Sequence, residues 1–145
     1  RNKILMRDNI FIASHRSRLL KKEQHRRLIK WACKCSEQVL NLFGNTIDER
    51  LKNAIIIGNE WADEKATTGD AMKASLAAHV VARESSSPIS IAIARSVGQA
   101  VATAHMADHS PGAALYALKA IRNAGKTVET EREWQNKQLP SEILS

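Results

Sequence analysis

The sequence predicts an all-α fold, a compact single-domain bundle of five to six helices around a central small-residue-rich helix at about 88–109. Three observations carry this. Apolar residues recur at helical spacing through most of the chain beyond residue 22. Aromatics make up only 4% of residues while alanine is abundant, which suits closely packed helices and not sheets. Helix start and stop signals separate the periodic segments, and the connections between them are short. One domain over 1–145 follows, with 1–20 as an N-terminal arm and 22–138 as the helical core.

The arm carries Ile4, Leu5, Ile10, Phe11 and Ile12, then a basic loop through His15, Arg16 and Arg18. A first helix runs from about Lys22 to Phe43. Leu28, Ala32, Cys35, Val39 and Leu42 form a stripe about 80° wide, with Lys22, Arg26, Lys30 and Lys34 on the opposite side. Gly44 supplies its stop. Thr46-Ile47-Asp48-Glu49 reads as a capping box opening a second helix to about Glu64, whose inner face is Ile47, Leu51, Ala54, Ile55, Gly58 and Trp61 or Ala62. Thr68 with Asp70 begins a third, about 69–84, burying Met72, Ser75, Leu76, His79 and Ala82.

Ser87-Pro88 is an N-cap followed by proline at the first helical position. The fourth helix it opens is apolar nearly all round, apart from a narrow stripe of Arg95, Gln99 and Thr103, and such a helix is normally central. On that helix Ile91, Ala94, Gly98, Ala102, His105 and His109 share a face about 80° wide, so small residues line a surface ending in two histidines one turn apart. Ser110-Pro111 repeats the start signal for a fifth helix to Gly125, with Ala114, Ala117, Leu118 and Ile121 inward. A last helix, about 127–138, carries Val128 and Trp134 and stops before Pro140. Trp31, Trp61 and Trp134 each lie on or beside an apolar face, as core or seam residues.

At 145 residues the chain is large enough to bury a core without staples. No apolar run approaches the ~20 residues that span a bilayer. The opening RNKILMRDNI has no signal-type apolar region, so the expected compartment is the cytosol, cytoplasmic rather than exported. The start at Arg1 without methionine leaves room for residues upstream. Cys33 and Cys35, two apart on a helix, point about 200° from each other and cannot easily bridge or share a metal, so both are expected reduced and structural.

The net charge of +7 is unevenly placed. Residues 1–53 hold 13 of the 22 basic residues and only 5 of the 15 acidic ones, so the first third carries the whole surplus. Lys22, Arg26, Lys30 and Lys34, with Arg16, Arg18, Lys21 and Arg27 nearby, form a field suited to phosphates or to an acidic protein surface. Neither an aromatic platform nor helix-turn-helix spacing accompanies it, which weighs against nucleic acid. An ordinary solvated face is the plainer alternative.

His105 and His109, four apart, have the spacing that places two imidazoles on one metal, and His79 sits on the inner face of another helix. A metal-dependent hydrolase built on His79, His105 and His109 is therefore one reading. Against it, Met106 stands where a zinc-protease helix needs glutamate, and Asp108 lies about 80° to one side. Hydrogen bonding between tightly packed helices is the commoner role for such rings. No complete catalytic motif is present, and a non-enzymatic protein with no cofactor and no metal is expected.

Four segments together resemble a known family. They are Arg7-Asp8 with Phe11-Ile12 and His15-Arg16; Lys22-Glu23-Gln24-His25-Arg26 running into Trp31-Ala32-Cys33 and Leu40; Ala77-Ala78-His79; and Gly98 through His109 with the alanine-rich stretch Gly112–Ala120. They look like the immunity proteins encoded with bacterial polymorphic toxins, small all-α proteins. The stretch AHMADH, with His105, Asp108 and His109, is the most specific part. One departure is visible: glycines are expected after His15-Arg16, and Ser17-Arg18 stand here.

The resemblance implies a cytosolic protein that binds and blocks a cognate toxin by occlusion. It makes His79, His105, Asp108 and His109 family-motif positions, structural or functional, and brings no catalytic residues. The N-terminal arm and basic helix face, with Arg16, Lys22, Arg26, Lys30 and Lys34, would steer the chain to an acidic patch on the toxin. Alanine-rich seams also make a homodimer an open expectation.

Overall fold

A computed structural model describes residues 22–44 and 46–140. Among these residues six α-helices follow one another: α1, Lys22–Val39, extended by a 3-10 turn Leu40–Phe43; α2, Glu49–Ala62; α3, Thr68–Glu84; α4, Pro88–Ala102; then a 3-10 turn Ala107–His109; α5, Ser110–Asn123; and α6, Val128–Gln138. No strand occurs among the described residues. The expected N-terminal arm, with Arg16 and Arg18, lies outside them.

Helix α4 is the hub. It packs against α1, α2, α3 and α5, and buries Ala92, Ile93, Ala94, Ser96, Val97, Gly98, Ala100, Val101 and Ala102. Ser87 caps it through its side chain to the Ser90 amide and Pro88 opens it, as the sequence indicates. Small side chains let neighbouring backbones approach. Gly58 in α2 sits over α1 so closely that a Cβ there would lie 2.9 Å from Cys33 Sγ. This approach buries Cys33, which the periodicity places nearly opposite the apolar stripe. Both cysteines are free and buried. Burial, with Glu37 adding repulsion, pushes the Cys33 thiol up to about 12, so little thiolate forms there at neutral pH.

Several element boundaries differ from the sequence reading, each for a local reason. Helix α2 is capped by Asp48, not Thr46. Asp48 Oδ1 accepts from the Arg50 amide at 2.9 Å while its other oxygen pairs with the Arg50 guanidinium at 2.8 Å. The reciprocal capping box opens α3 instead, between Thr67 and Asp70. Helix α3 turns Ala71, Ala74, Ser75, Ala78, Val81 and Ala82 inward, leaves Met72 and His79 half-buried, and leaves Leu76 61% exposed. Small residues dominate its buried side, and Ser75 Oγ donates to the Gly98 carbonyl at 2.8 Å across the seam with α4. Ser110 is the first residue of α5, not its cap, and its hydroxyl donates to the Ala107 carbonyl. In α6, Trp134 is half-buried and Gln135 takes the core position, donating through Nε2 to the Ala114 carbonyl at 3.0 Å.

The expected 88–109 helix ends at Ala102. A continuing helix would give the Thr103 carbonyl to the amide of Ala107. That carbonyl instead accepts from His25 Nε2 of α1, and the amides of Ala104 and His105 close tight turns onto Val101 and Ala102. Met106 is then extended. His105 and His109 therefore do not share a helical face.

One polar chain crosses the core. Ser96 Oγ donates its single proton to the Ala113 carbonyl at 2.7 Å, so the 2.9 Å bond to Ser36 has Ser36 as donor. It ties α1, α4 and α5 together.

Candidate functional site

Two surfaces need describing: the polar stripe of α4 and the basic face of α1. Arg95 and Gln99, both half-buried, and Thr103, buried at the C-cap, recur at i, i+4 and i+8 along α4 and its end. Each engages a histidine from a different element. Arg95 Nη1 donates to His79 Nδ1 of α3 at 2.7 Å. Gln99 Oε1 accepts from His109 Nδ1 at 2.9 Å. The Thr103 carbonyl accepts from His25 Nε2, and the His25 ring lies 4.9 Å from that of Trp61.

Two glycines make room for this stripe. A Cβ at residue 98 would lie 2.5 Å from His79 Nε2, and one at residue 112 would lie 3.0 Å from Gln99 Oε1. The His79 ring is thus laid flat on the α4 backbone, with one nitrogen accepting from arginine and the other against Gly98.

That arrangement answers the metal reading. His105 is exposed beyond the end of α4, Asp108 is exposed, and the His79 Nδ1 lone pair is already given to a guanidinium. Among the described residues no three His, Cys, Asp or Glu side chains could hold a metal ion together. His79 and His109 are brought to one region; His105 is not.

Burial holds His79 below its ordinary value of 6.5, and the charges of Arg95, Arg83 and His109 act the same way. The unfolded chain therefore takes up this proton first as the pH falls. Stability from His79 is fully present above 6.5 and is lost as the pH drops through its lower folded-state value. Urea midpoints should fall below pH 6.5, and His79→Gln should show a smaller fall over the same window.

On the basic face, Lys22 and Arg26 both reach Glu64, at 3.5 and 3.3 Å, and Lys30 reaches Asp63 at 2.8 Å. Lys34 is exposed and has no ion pair among the described residues. Arg16 lies outside the described residues. A cleft of about 330 Å³ opens beside this face, lined by Lys22, Arg26, Trp61, Glu64, Thr67 and Thr68. Glu64 adopts φ +63°, the left-handed backbone conformation that glycine and asparagine adopt most readily. The Lys30 ammonium beside Asp63 holds that carboxyl below the usual range. These ion pairs are solvent-exposed and of the class worth about 0–1 kcal/mol.

The family model described as Imm-5 like putative immunity protein matches residues 18–142. The chain belongs to this family. The match takes in every helix among the described residues, the histidine-bearing stripe and the α1 basic face. Comparison with curated proteins and with solved structures gives no match. No described helix is long and apolar enough to cross a membrane. For this immunity-protein family member, the spacing of Arg95 and Gln99 is the sequence signal for the histidine contacts, because polar residues four apart on a central helix must each meet a partner. His25 carries no such signal: it meets the Thr103 backbone carbonyl, while the Thr103 hydroxyl donates to the Gln99 carbonyl.

Proposed function

We propose that this chain is the cytoplasmic antidote to a cognate bacterial protein toxin, binding it and blocking it by occlusion without catalysis. The family match over residues 18–142 carries the reading. The α1 face supports it: Lys22, Arg26, Lys30 and Lys34, with Arg16 preceding them, give a positive field that attracts an acidic toxin surface. Because the intramolecular pairs with Asp63 and Glu64 are weak and exposed, carboxylates of a partner can take over the same cations at small cost. His79, His105, Asp108 and His109 serve the scaffold and the surface around it rather than a reaction.

Deleting the gene from its native host should make that host sensitive to its own toxin, and affinity capture should recover that toxin. Unchanged growth together with no toxin recovered would overturn the reading. Reversing the charges of Arg26 and Lys30 should slow association most at low salt. An association rate independent of both substitutions would remove the steering role.

A further inference from the structure

Most described arginines already have a carboxylate. Arg26 pairs with Glu64, Arg27 with Glu23, Arg50 with Asp48 and Glu84, and Arg132 with Glu129. Arg122 is exposed on the outer side of α5. Arg83 and Arg95 remain: Arg95 bonds His79, and Arg83 stands one turn after His79 on the same face of α3. Arg95 is half-buried and its guanidinium donates to His79 Nδ1, a neutral acceptor. The groups acting electrostatically on His79 are Arg95, Arg83 and His109, all cationic or able to become so. Glu84, next in sequence to Arg83, is committed to Arg50 at 2.8 Å. Asp108, next to His109, is exposed and is not among the groups acting on His79. A half-buried guanidinium with no counter-ion among the described residues is uncommon, since the planar fork is ordinarily matched by a carboxylate or phosphate.

We propose that Arg83, Arg95 and His109 form a receiving site for a side-chain carboxylate of the protein partner, with His79 as the positioning residue that aims the Arg95 guanidinium. Gly98 lets His79 lie against α4, and Gln99, packed on Gly112, holds the His109 ring by its Nδ1 proton. The site stands at one end of the α4 polar stripe. At the other end Thr103 meets His25, the neighbour of Arg26 on α1. The two ends are about 12 Å apart along the axis at about 1.5 Å per residue, so one acidic surface can reach both. A carboxylate is favoured over phosphate because the partner proposed above is a protein. In that respect the inference rests on the toxin-binding reading.

The test uses the full chain, isotopically labelled, titrated with a capped tri-glutamate peptide at constant ionic strength, with inorganic phosphate as a second arm. The expected result is a saturable shift of the His79 and His109 ring signals and of the Arg95 side chain, with the His79 titration midpoint moving upward as the peptide binds. Arg95→Gln and Arg83→Gln should each weaken the peptide by about tenfold or more. Arg83 is exposed near the end of α3, so its variant keeps the test open if Arg95→Gln folds poorly. Unsaturable shifts that persist unchanged in Arg83→Gln would overturn the site. Binding of phosphate with no binding of the peptide would overturn the carboxylate assignment. Neither outcome depends on the toxin, so failure here and failure of the deletion experiment are separate results.

Discussion

Trp31→Ala is expected to lower the unfolding free energy by about 3–5 kcal/mol, the largest loss from a single side chain in this bundle. The indole is only 2% exposed, and a close-packed core relaxes only partly into the void its removal leaves. Its Nε1 also donates to the Gln135 carbonyl at 2.8 Å, near the C-terminus of α6, where the last carbonyls lack helical partners. Gln135 is completely buried, so that oxygen has no recourse to water. Trp31→Phe separates the two contributions. It retains most of the volume and strands the carbonyl, and should cost about 1–3 kcal/mol. Urea denaturation reads both, with an unchanged slope confirming that the denatured state is not the source. A Trp31→Ala protein as stable as the parent would contradict this account of the core.

Gly98→Ala is the second large effect, and its sign is the informative part. In an open helix the change would stabilise by about 0.5–1 kcal/mol, because glycine loses more backbone freedom on folding. Here the new methyl would meet three atoms of the His79 ring at 2.5–2.8 Å, and the ring cannot retreat without leaving Arg95. Overpacking of this kind costs about 1–3 kcal/mol, so a net loss is expected. In a His79→Ala background the obstruction is gone and the same substitution should become stabilising. A double-mutant cycle measures this coupling directly. A loss that persists without the imidazole would mean that Gly98 is required for some other reason.

The architecture was legible because start signals and periodicity agree with one another. Ser87-Pro88 opens α4 where expected, and Leu51, Ala54, Ile55 and Gly58 turn inward as their spacing requires. What spacing could not supply was anything decided between helices. Leu76 outranks Ala74 and Ala78 in hydropathy, yet the alanines are buried between helices and Leu76 is left outside. The AHMADH stretch continues the α4 periodicity, and only a histidine 78 residues earlier, taking the Thr103 carbonyl, ends the helix before it. The site followed the same rule. His79 and His109 stand out by residue type, while Arg95 and Gln99 read only as a narrow polar stripe, and the fold makes them partners.

The serine chain between Ser36, Ser96 and Ala113 has a consequence for how this core chooses a single arrangement. Rods sheathed in methyl groups are nearly smooth, and a neighbour displaced by one turn, about 5.4 Å, would bury almost as much surface. Dispersion alone discriminates poorly between such slipped alternatives. A hydroxyl that must meet a specific oxygen does not tolerate the slip, because sliding either α1 or α5 past α4 leaves desolvated donors and acceptors unmatched at once. Three atoms thereby act as the detent of a mechanism whose bearings are alanine.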